Sequence, residues 1–409
     1  MIPLWTVLPF AALLLSIAIF PVVAPHFWES NRNKAIISLV LSIPTLAWLF
    51  PNTPGGLLHT LEEYASFVIL LGSLYVISGG IAISGDLRAT PKINSLFLAV
   101  GAVLASLIGT TGASMILIRP FLRTNSERNN TAHQTLFFIL VVSNCGGILT
   151  PMGDPPLFLG YLRGVPFLWT LRLFPQWAIV VGSLLLIFYL WDRRVYRKEP
   201  HEAIREDRIN VKPLRLQGWI NLLFLSGVLY GIFLPSPWRE VLMGLMGFLS
   251  YFLGSKTARN HNRFTWHPIV EIAVLFAGIF ITMVPTLMLL KYHGAEFGIT
   301  KPWQFFWLTG SLSALLDNAP TYVTFLSLAQ GLGLPGGIAG VPEKILEAIS
   351  VGAVFFGANS YIGNGPNFMV KAIADHSGFK TPSFFSYMAY AALILFPLYI
   401  LITLLFFLP

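Results

Sequence analysis

The chain reads as a succession of long apolar runs separated by short polar breaks. Crossing the hydrocarbon core of a bilayer takes roughly 17–25 apolar residues in one helix. Residues 4–25, 34–50, 66–85, 174–190, 219–234, 241–254, 267–290 and 384–407 follow that pattern and predict membrane spans. No basic stretch or small-residue cleavage site accompanies the first run, so it is read as a span and not as a removed signal. Four further apolar regions, 93–121, 133–163, 303–331 and 345–375, are interrupted by Gly, Pro, Asn or Asp. Backbone that leaves the helix at membrane depth must be enclosed by protein or line a wet cavity. The interruptions therefore say more about function than the intact runs.

Loop charge orders these segments. Lys and Arg gather at Arg32 and Lys34, Arg88 and Lys92, Arg123 and Arg128, between Asp192 and Arg215, and at Lys256, Arg259 and Arg263. The stretch 51–63 has none. Cytoplasmic loops carry the excess of basic residues. The pattern predicts a multi-pass inner (plasma) membrane protein with a cytoplasmic linker at 191–216 and both termini outside. Segment 93–121 has basic residues on both flanks, which predicts a re-entrant hairpin entering and leaving on the cytoplasmic face. The same reasoning makes 303–331 a hairpin from the opposite face. The expected fold is an all-α polytopic membrane protein with about ten transmembrane helices and two hairpins.

The two halves also repeat each other. Gly147-Ile-Leu-Thr150-Pro-Met-Gly153-Asp154-Pro-Pro156-Leu-Phe158 matches Gly357-Ala-Asn-Ser360-Tyr-Ile-Gly363-Asn364-Gly-Pro366-Asn-Phe368 at one constant offset. Gly109-Thr-Thr-Gly-Ala-Ser114 stands opposite Asp317-Asn-Ala-Pro-Thr-Tyr322 at nearly the same offset. An odd number of crossings per half inverts one half relative to the other. Residues 1–190 are the first inverted repeat, with hairpin 93–121 and broken helix 133–163. Residues 217–409 are the second, with hairpin 303–331 and broken helix 345–375. Interrupted segments at matching places in two halves point to a transporter's binding site.

Glycine at 153, 363 and 365 permits backbone angles other residues avoid, and proline at 155, 156 and 366 removes amide donors. Broken helices leave carbonyls and helix ends at the membrane midplane, where oxygen-bearing side chains also cluster. Half one offers Thr110, Thr111, Ser114, Asn144, Thr150 and Asp154; half two offers Asp317, Asn318, Thr321, Asn359, Ser360, Asn364 and Asn367. Hard cations such as sodium take oxygen ligands of these kinds, with Asp154, Asp317 and Asn318 as the candidate metal ligands. An ionised carboxylate at that depth costs about 2.5–3.5 kcal/mol, and either a metal ion or a proton relieves it. Competition between the two for Asp154 or Asp317 is the smallest chemistry that yields proton/cation exchange. The plainer reading is that each Asp caps a broken helix. Glu62 and Glu63 read as exposed outer residues, Glu271 as a proton-path or capping residue, and Arg119 as a snorkelling or anion-contacting side chain of the hairpin. Lys291, His293 and Glu296 read as a solvated outer loop, and Trp28, Trp266 and Trp303 as interfacial aromatics.

Composition narrows the classes. Of 409 residues 55% are hydrophobic and 11% charged, with a mean hydropathy of +0.70, against roughly 25% charged in soluble domains. The formal charge of +8 is scattered over short loops, so loop bias explains it and no nucleic-acid partner is expected. A single cysteine, Cys145, excludes an internal disulfide and any cysteine-based metal cluster; it reads as a packing residue. No H-E-x-x-H motif is present and the repeat accounts for the two Asp residues, so an intramembrane enzyme is not expected.

The segments around Gly109, Thr150, Leu316-Asp-Asn-Ala-Pro-Thr and Gly357 resemble the ion transporter superfamily over nearly the whole chain. That group includes NhaD-type sodium/proton antiporters, citrate–metal carriers, arsenite permeases and divalent-anion/sodium symporters. The resemblance is strongest to bacterial sodium/proton antiporters and citrate transporters. It implies a homodimer with a scaffold and a mobile transport domain, and a substrate site between hairpin tips and broken helices that shifts like an elevator. The dicarboxylate symporters carry Ser-Asn-Thr at both tips; here the tips read Thr110-Thr111-Gly112 and Asp317-Asn318-Ala319. The expected function is sodium (or lithium)/proton antiport, with no cofactor beyond the transported sodium. Transport of citrate, another carboxylate or an arsenite-like oxyanion, coupled to sodium or protons, is the alternative.

Overall fold

A computed structural model describes residues 2–335 and 337–408. The first half contains α1 (Leu8–Val23), α2 (Pro25–Trp28), α3 (Asn31–Asn52), α4 (Pro54–Gly79), strand β1 (Ala82–Asp86), α5 (Pro91–Ile108), α6 (Thr110–Thr124), α7 (Ala132–Val141), α8 (Pro155–Leu162) and α9 (Phe174–Tyr196). A linker follows with α10 (His201–Ile209) and β2 (Lys212–Gln217). The second half contains α11 (Ile220–Gly231), α12 (Trp238–Leu253), α13 (Lys256–His261), α14 (His267–His293), α15 (Pro302–Leu315), α16 (Asn318–Gln330), α17 (Glu343–Phe356), α18 (Gly365–His376) and α19 (Phe384–Ile402). Prolines 54, 91, 155 and 302 open their helices, where the missing amide proton costs nothing.

Among the described residues, eight helical stretches are long and apolar enough to cross a membrane. The molecule is an all-α polytopic membrane protein, with one short antiparallel strand pair, β1–β2, in register Ala82 with Gln217. The packing falls into two sets of helices. One set joins α14 with α3 and α4, and α4 with α11 and α12. The other joins α5, α6, α7 and α9 with α8 and α15 to α18. Contacts of α4 with α6 and α8, and of α14 with α16, form the seam between the sets. Each set draws on both halves of the sequence.

The two interruptions have matching backbones. After α7 the chain makes a 3-10 turn, Cys145–Leu149, becomes extended at Thr150 (φ −140°, ψ 157°), and reaches Asp154 at φ −146°, ψ 141° before α8 begins. After α17 it makes a 3-10 turn, Gly357–Asn359, becomes extended at Ser360 (φ −139°, ψ 165°), and reaches Asn364 at φ −155°, ψ 139° before α18. Close approach explains the repeated glycines: a Cβ on Gly153 would lie 1.9 Å from the Gly147 carbonyl oxygen, and one on Gly363 would lie 2.7 Å from that of Gly357. Gly365 is different, since a Cβ there meets nothing within 4 Å. A serine of the neighbouring helix holds each approach to the break, at the first 3-10 turn in one half and at the last turn of α17 in the other. Ser106 Oγ donates to the Gly146 carbonyl and Ser313 Oγ to that of Ala353, both at 2.6 Å.

Several expectations change. The run 66–85 is a helix only to Gly79, and its tail forms β1 because it pairs with the linker. The linker 191–216 is largely ordered, with α9 running on to Tyr196. The runs at 219–234 and 241–254 give helices of 12 and 16 residues, while Pro91–Ile108 and Ala132–Leu149 do reach span length. Residues 51–63 are almost wholly helical, with only Thr53 between α3 and α4. Glu63 is buried there and pairs with Arg163 at the end of α8 at 2.8 Å, across the seam, while Glu62 is exposed. Glu271 pairs with buried Lys34 at 2.6 Å. Trp28 is buried, stacked on Phe20.

Candidate functional site

Four helices begin at one buried point, two from each half. Gly109, at φ +82°, turns α5 into α6, a backbone region that favours glycine. The Thr110 amide then donates to the Gly153 carbonyl at 2.8 Å, which holds the tip of the α5–α6 pair against the first interruption. In the second half α15 turns into α16 through Leu316 and Asp317, and α18 starts from Asn364.

Asp154 lies at the centre of this arrangement and is 1% exposed. It precedes α8 but makes no capping bond to its own helix. Its carboxylate turns instead to the other three starts. Thr110 donates to Oδ1 at 3.1 Å, Asn364 Nδ2 to Oδ1 at 2.9 Å, and Asn318 Nδ2 to Oδ2 at 2.6 Å. No Lys, Arg or His pairs with Asp154 among the described residues. Hydrogen-bond donors at helix starts suit a negative charge, so the four helix ends hold this carboxylate without a basic side chain.

A second layer of amides surrounds it. Asn144 Nδ2 donates to Asn367 Oδ1 at 2.7 Å and to the Ile139 carbonyl at 2.8 Å. Asn367 Nδ2 donates in turn to the carbonyls of Gly357 and Ser360. Asn364 Nδ2 also donates to the Ser143 carbonyl at 3.1 Å, and Ser143 shares a 2.9 Å hydroxyl contact with Ser114. Three buried amide oxygens, Asn144 Oδ1, Asn318 Oδ1 and Asn359 Oδ1, have no hydrogen-bond partner. A methyl on Gly357 would lie 3.2 Å from Asn144 Oδ1 and 3.5 Å from Asn318 Nδ2, so both side chains approach that glycine, and Asn318 also reaches Asp154. Unpartnered buried acceptors are costly, and a hydrogen-bond donor, a water molecule or a cation would satisfy them.

The other residues singled out in the sequence serve local roles. Asp317 is half-buried and accepts from the Ala319 amide at 3.0 Å, capping α16; its charge lies within reach of Asp154. Thr321 donates to the Asp317 carbonyl at 2.9 Å. Thr150 donates to the Ser106 carbonyl. Ser360 accepts from the Gly363 amide at 3.0 Å, and Asn359 donates to the Tyr399 hydroxyl at 3.2 Å. Thr111 is half-buried at the tip. Sequence reasoning missed Ser106 and Ser143, and it missed Tyr387 and Tyr399, whose hydroxyls donate to the Ala358 and Phe355 carbonyls at 2.8 Å. Those tyrosines sit in an ordinary apolar run, and only the fold brings them to the break.

The chain also compares with known proteins. A family described as "Putative citrate transport" matches residues 1–407. A protein of Synechocystis sp., "Uncharacterized transporter slr0753", is 24% identical over 295 residues. That alignment covers 62% of this chain and 63% of the relative, so less than two thirds of the relative's length is spanned.

Proposed function

This chain belongs to the citrate-transport family that matches it over residues 1–407, and from that premise we propose that it is a secondary active transporter whose cargo binds beside Asp154. The reading we favour is exchange of sodium or lithium for protons. The observation that carries it is a buried carboxylate with no basic partner, held by Asn318, whose own amide oxygen has no hydrogen-bond partner. One carboxylate with amide and hydroxyl oxygens is the ligand set of a small hard cation. Among the described residues no three His, Cys, Asp or Glu side chains gather as a transition-metal site would require.

The same residues can handle the proton. The Thr110 hydroxyl donates to an ionised carboxylate and accepts from a protonated one, so the tip accommodates both states. Binding of the metal ion and of the proton at Asp154 are then mutually exclusive, which couples their movements. Asp317, within electrostatic reach, is the second proton-coupling candidate. The reading includes two inverted repeats, elevator-type motion along the seam, a homodimer, and an inner membrane location with 191–216 on the cytoplasmic side. It assigns the protein no enzymatic step. Support for the repeat comes from the matching dihedrals of the two interruptions.

A second reading is coupled transport of citrate or another carboxylate. It is favoured by the family's description and by four helix starts at one point, which suit an anion. Asp154 already occupies those starts, so a carboxylate substrate would have to enter with a cation that offsets the repulsion. Everted membrane vesicles with a trapped pH dye separate the two. Sodium or lithium, but not citrate alone, is expected to dissipate an imposed proton gradient. Robust citrate uptake with no response to sodium at neutral or alkaline pH would replace the first reading with the second.

A further inference from the structure

Away from Asp154, one face of α6 carries positive charge that the proposed transport chemistry does not use. Met115, Arg119 and Arg123 follow each other at four-residue spacing and so lie on one face of that helix. Met115 packs into a small apolar cluster with Tyr75, Ile269 and Phe264. Two turns further, Arg123 Nη2 contacts His261 Nε2 at 2.8 Å and Nη1 donates to the Gly85 carbonyl at 3.1 Å. Arg119 lies between, half-buried against the corner where α13 leads into α14. Because Met115 one turn before it packs against Phe264 and Arg123 one turn after it contacts His261, Arg119 lies against the same stretch, 261–264, that carries exposed Arg263. Burial first, then the charges of Arg123 and Arg119, hold the His261 imidazole below its ordinary pKa, so the ring is neutral and accepts from Arg123.

Acidic compensation is confined to one end. Asp86 lies within electrostatic reach of Arg123 and of Glu127, whereas Arg119 and Arg263 form no ion pair among the described residues. Two guanidinium groups facing each other without an acid are unfavourable unless an oxyanion sits between them, and the planar fork of arginine matches phosphate oxygens in pairs. Beside the corner Trp266 lies edge to face with Phe264 at 5.4 Å between ring centroids and tilted against Tyr251 at 5.1 Å, and it is 45% exposed. Such aromatic groups collect at the membrane–water interface.

We propose that Arg119 and Arg263, walled by Arg123 and His261, bind a phosphate-class oxyanion at the seam between α6 and the α13–α14 corner. The headgroup of an anionic phospholipid and free inorganic phosphate share this chemistry. The site joins the two helix sets, because α6 belongs to one and α13–α14 flanks the other. The test uses the full chain in nanodiscs of phosphatidylcholine with or without phosphatidylglycerol, and in phosphatidylcholine with added inorganic phosphate. Melting temperature and native mass spectrometry are the readouts. Phosphatidylglycerol is expected to raise the melting temperature and to remain bound in the gas phase, and Arg119→Gln and Arg263→Gln each lose both effects. A response to phosphatidylglycerol alone identifies a lipid site, and an added response to phosphate identifies one open to soluble anions. Equal phosphatidylglycerol retention in the wild type and Arg263→Gln, or no response to either anion, overturns the proposal. Arg263 lies exposed in a loop, so its variant keeps the test decisive should Arg119→Gln fail to fold.

Discussion

At the scale of single residues the account turns on Asp154. Its three donors are aimed at a carboxylate, and an amide in its place would set one NH2 group against another. Asp154→Asn is expected to lower exchange at least about 100-fold, the order given by about 3 kcal/mol of lost charge-assisted bonding. Size-exclusion profile and helical content should stay those of the wild type. Asn318→Ala removes both a donor to Asp154 and an unpartnered oxygen. It should cost about 1–3 kcal/mol of stability, visible as a lowered melting temperature, and weaken sodium dependence of exchange. The residue types of this site were legible in the sequence, because Gly, Pro, Asp and Asn stand out in an apolar chain. Their division of labour was not. Asp154 and Asp317 both precede a helix, and only the fold shows that the second caps its own helix while the first reaches across to three others.

Elements place these residues. The interruptions depend on glycines that let two carbonyl-bearing segments touch, so Gly153→Ala, with a Cβ 1.9 Å from the Gly147 oxygen, should abolish transport and lower the melting temperature. Gly365→Ala, which meets no neighbour within 4 Å, should leave both near wild type; the two variants together separate close packing from general glycine loss. Across the seam, Glu63 and Arg163 join α4 to α8. Breaking a fully buried pair costs about 3–5 kcal/mol, and the 19% exposure of Arg163 makes the cost here smaller. A double-mutant cycle with Glu63→Gln and Arg163→Gln should show coupling in both melting temperature and transport rate, as expected of a contact between moving parts. Additive effects would remove that role. On the strand pair, burial together with Glu127 and Asp207 raises the Asp86 carboxyl to about 6. Its folded pKa thus exceeds the unfolded value, so its contribution is fully present below about pH 4 and is lost as pH rises through 6. Hydrogen exchange of β1 and β2 should quicken over that interval, and Asp86→Asn should flatten the response. The strand pair could not be read from sequence, since its partner strands lie far apart in the chain and β1 continues an apolar run. The hidden Glu63 likewise looked solvated because its partner, Arg163, lies 100 residues away.

At the scale of the whole molecule, the sequence halves and the packed sets of helices differ. Sequence repetition divides the chain near residue 190, whereas packing assigns α4, α11, α12 and α14 to one set and the interrupted helices of both halves to the other. Hydropathy and repetition reveal the first division, and only long-range contacts reveal the second. That second division puts Asp154 wholly within one set, with donors from both halves, which is the arrangement the proposed elevator-type motion needs. The central claim is that the Asp154 cluster itself binds a small cation. Equilibrium binding of radioactive sodium to the purified protein, read by scintillation proximity, tests it most directly. The account predicts saturable binding that unlabelled lithium and protons displace and that Asp154→Asn eliminates. Binding that survives unchanged in Asp154→Asn, or its absence in the correctly folded wild type, would contradict it.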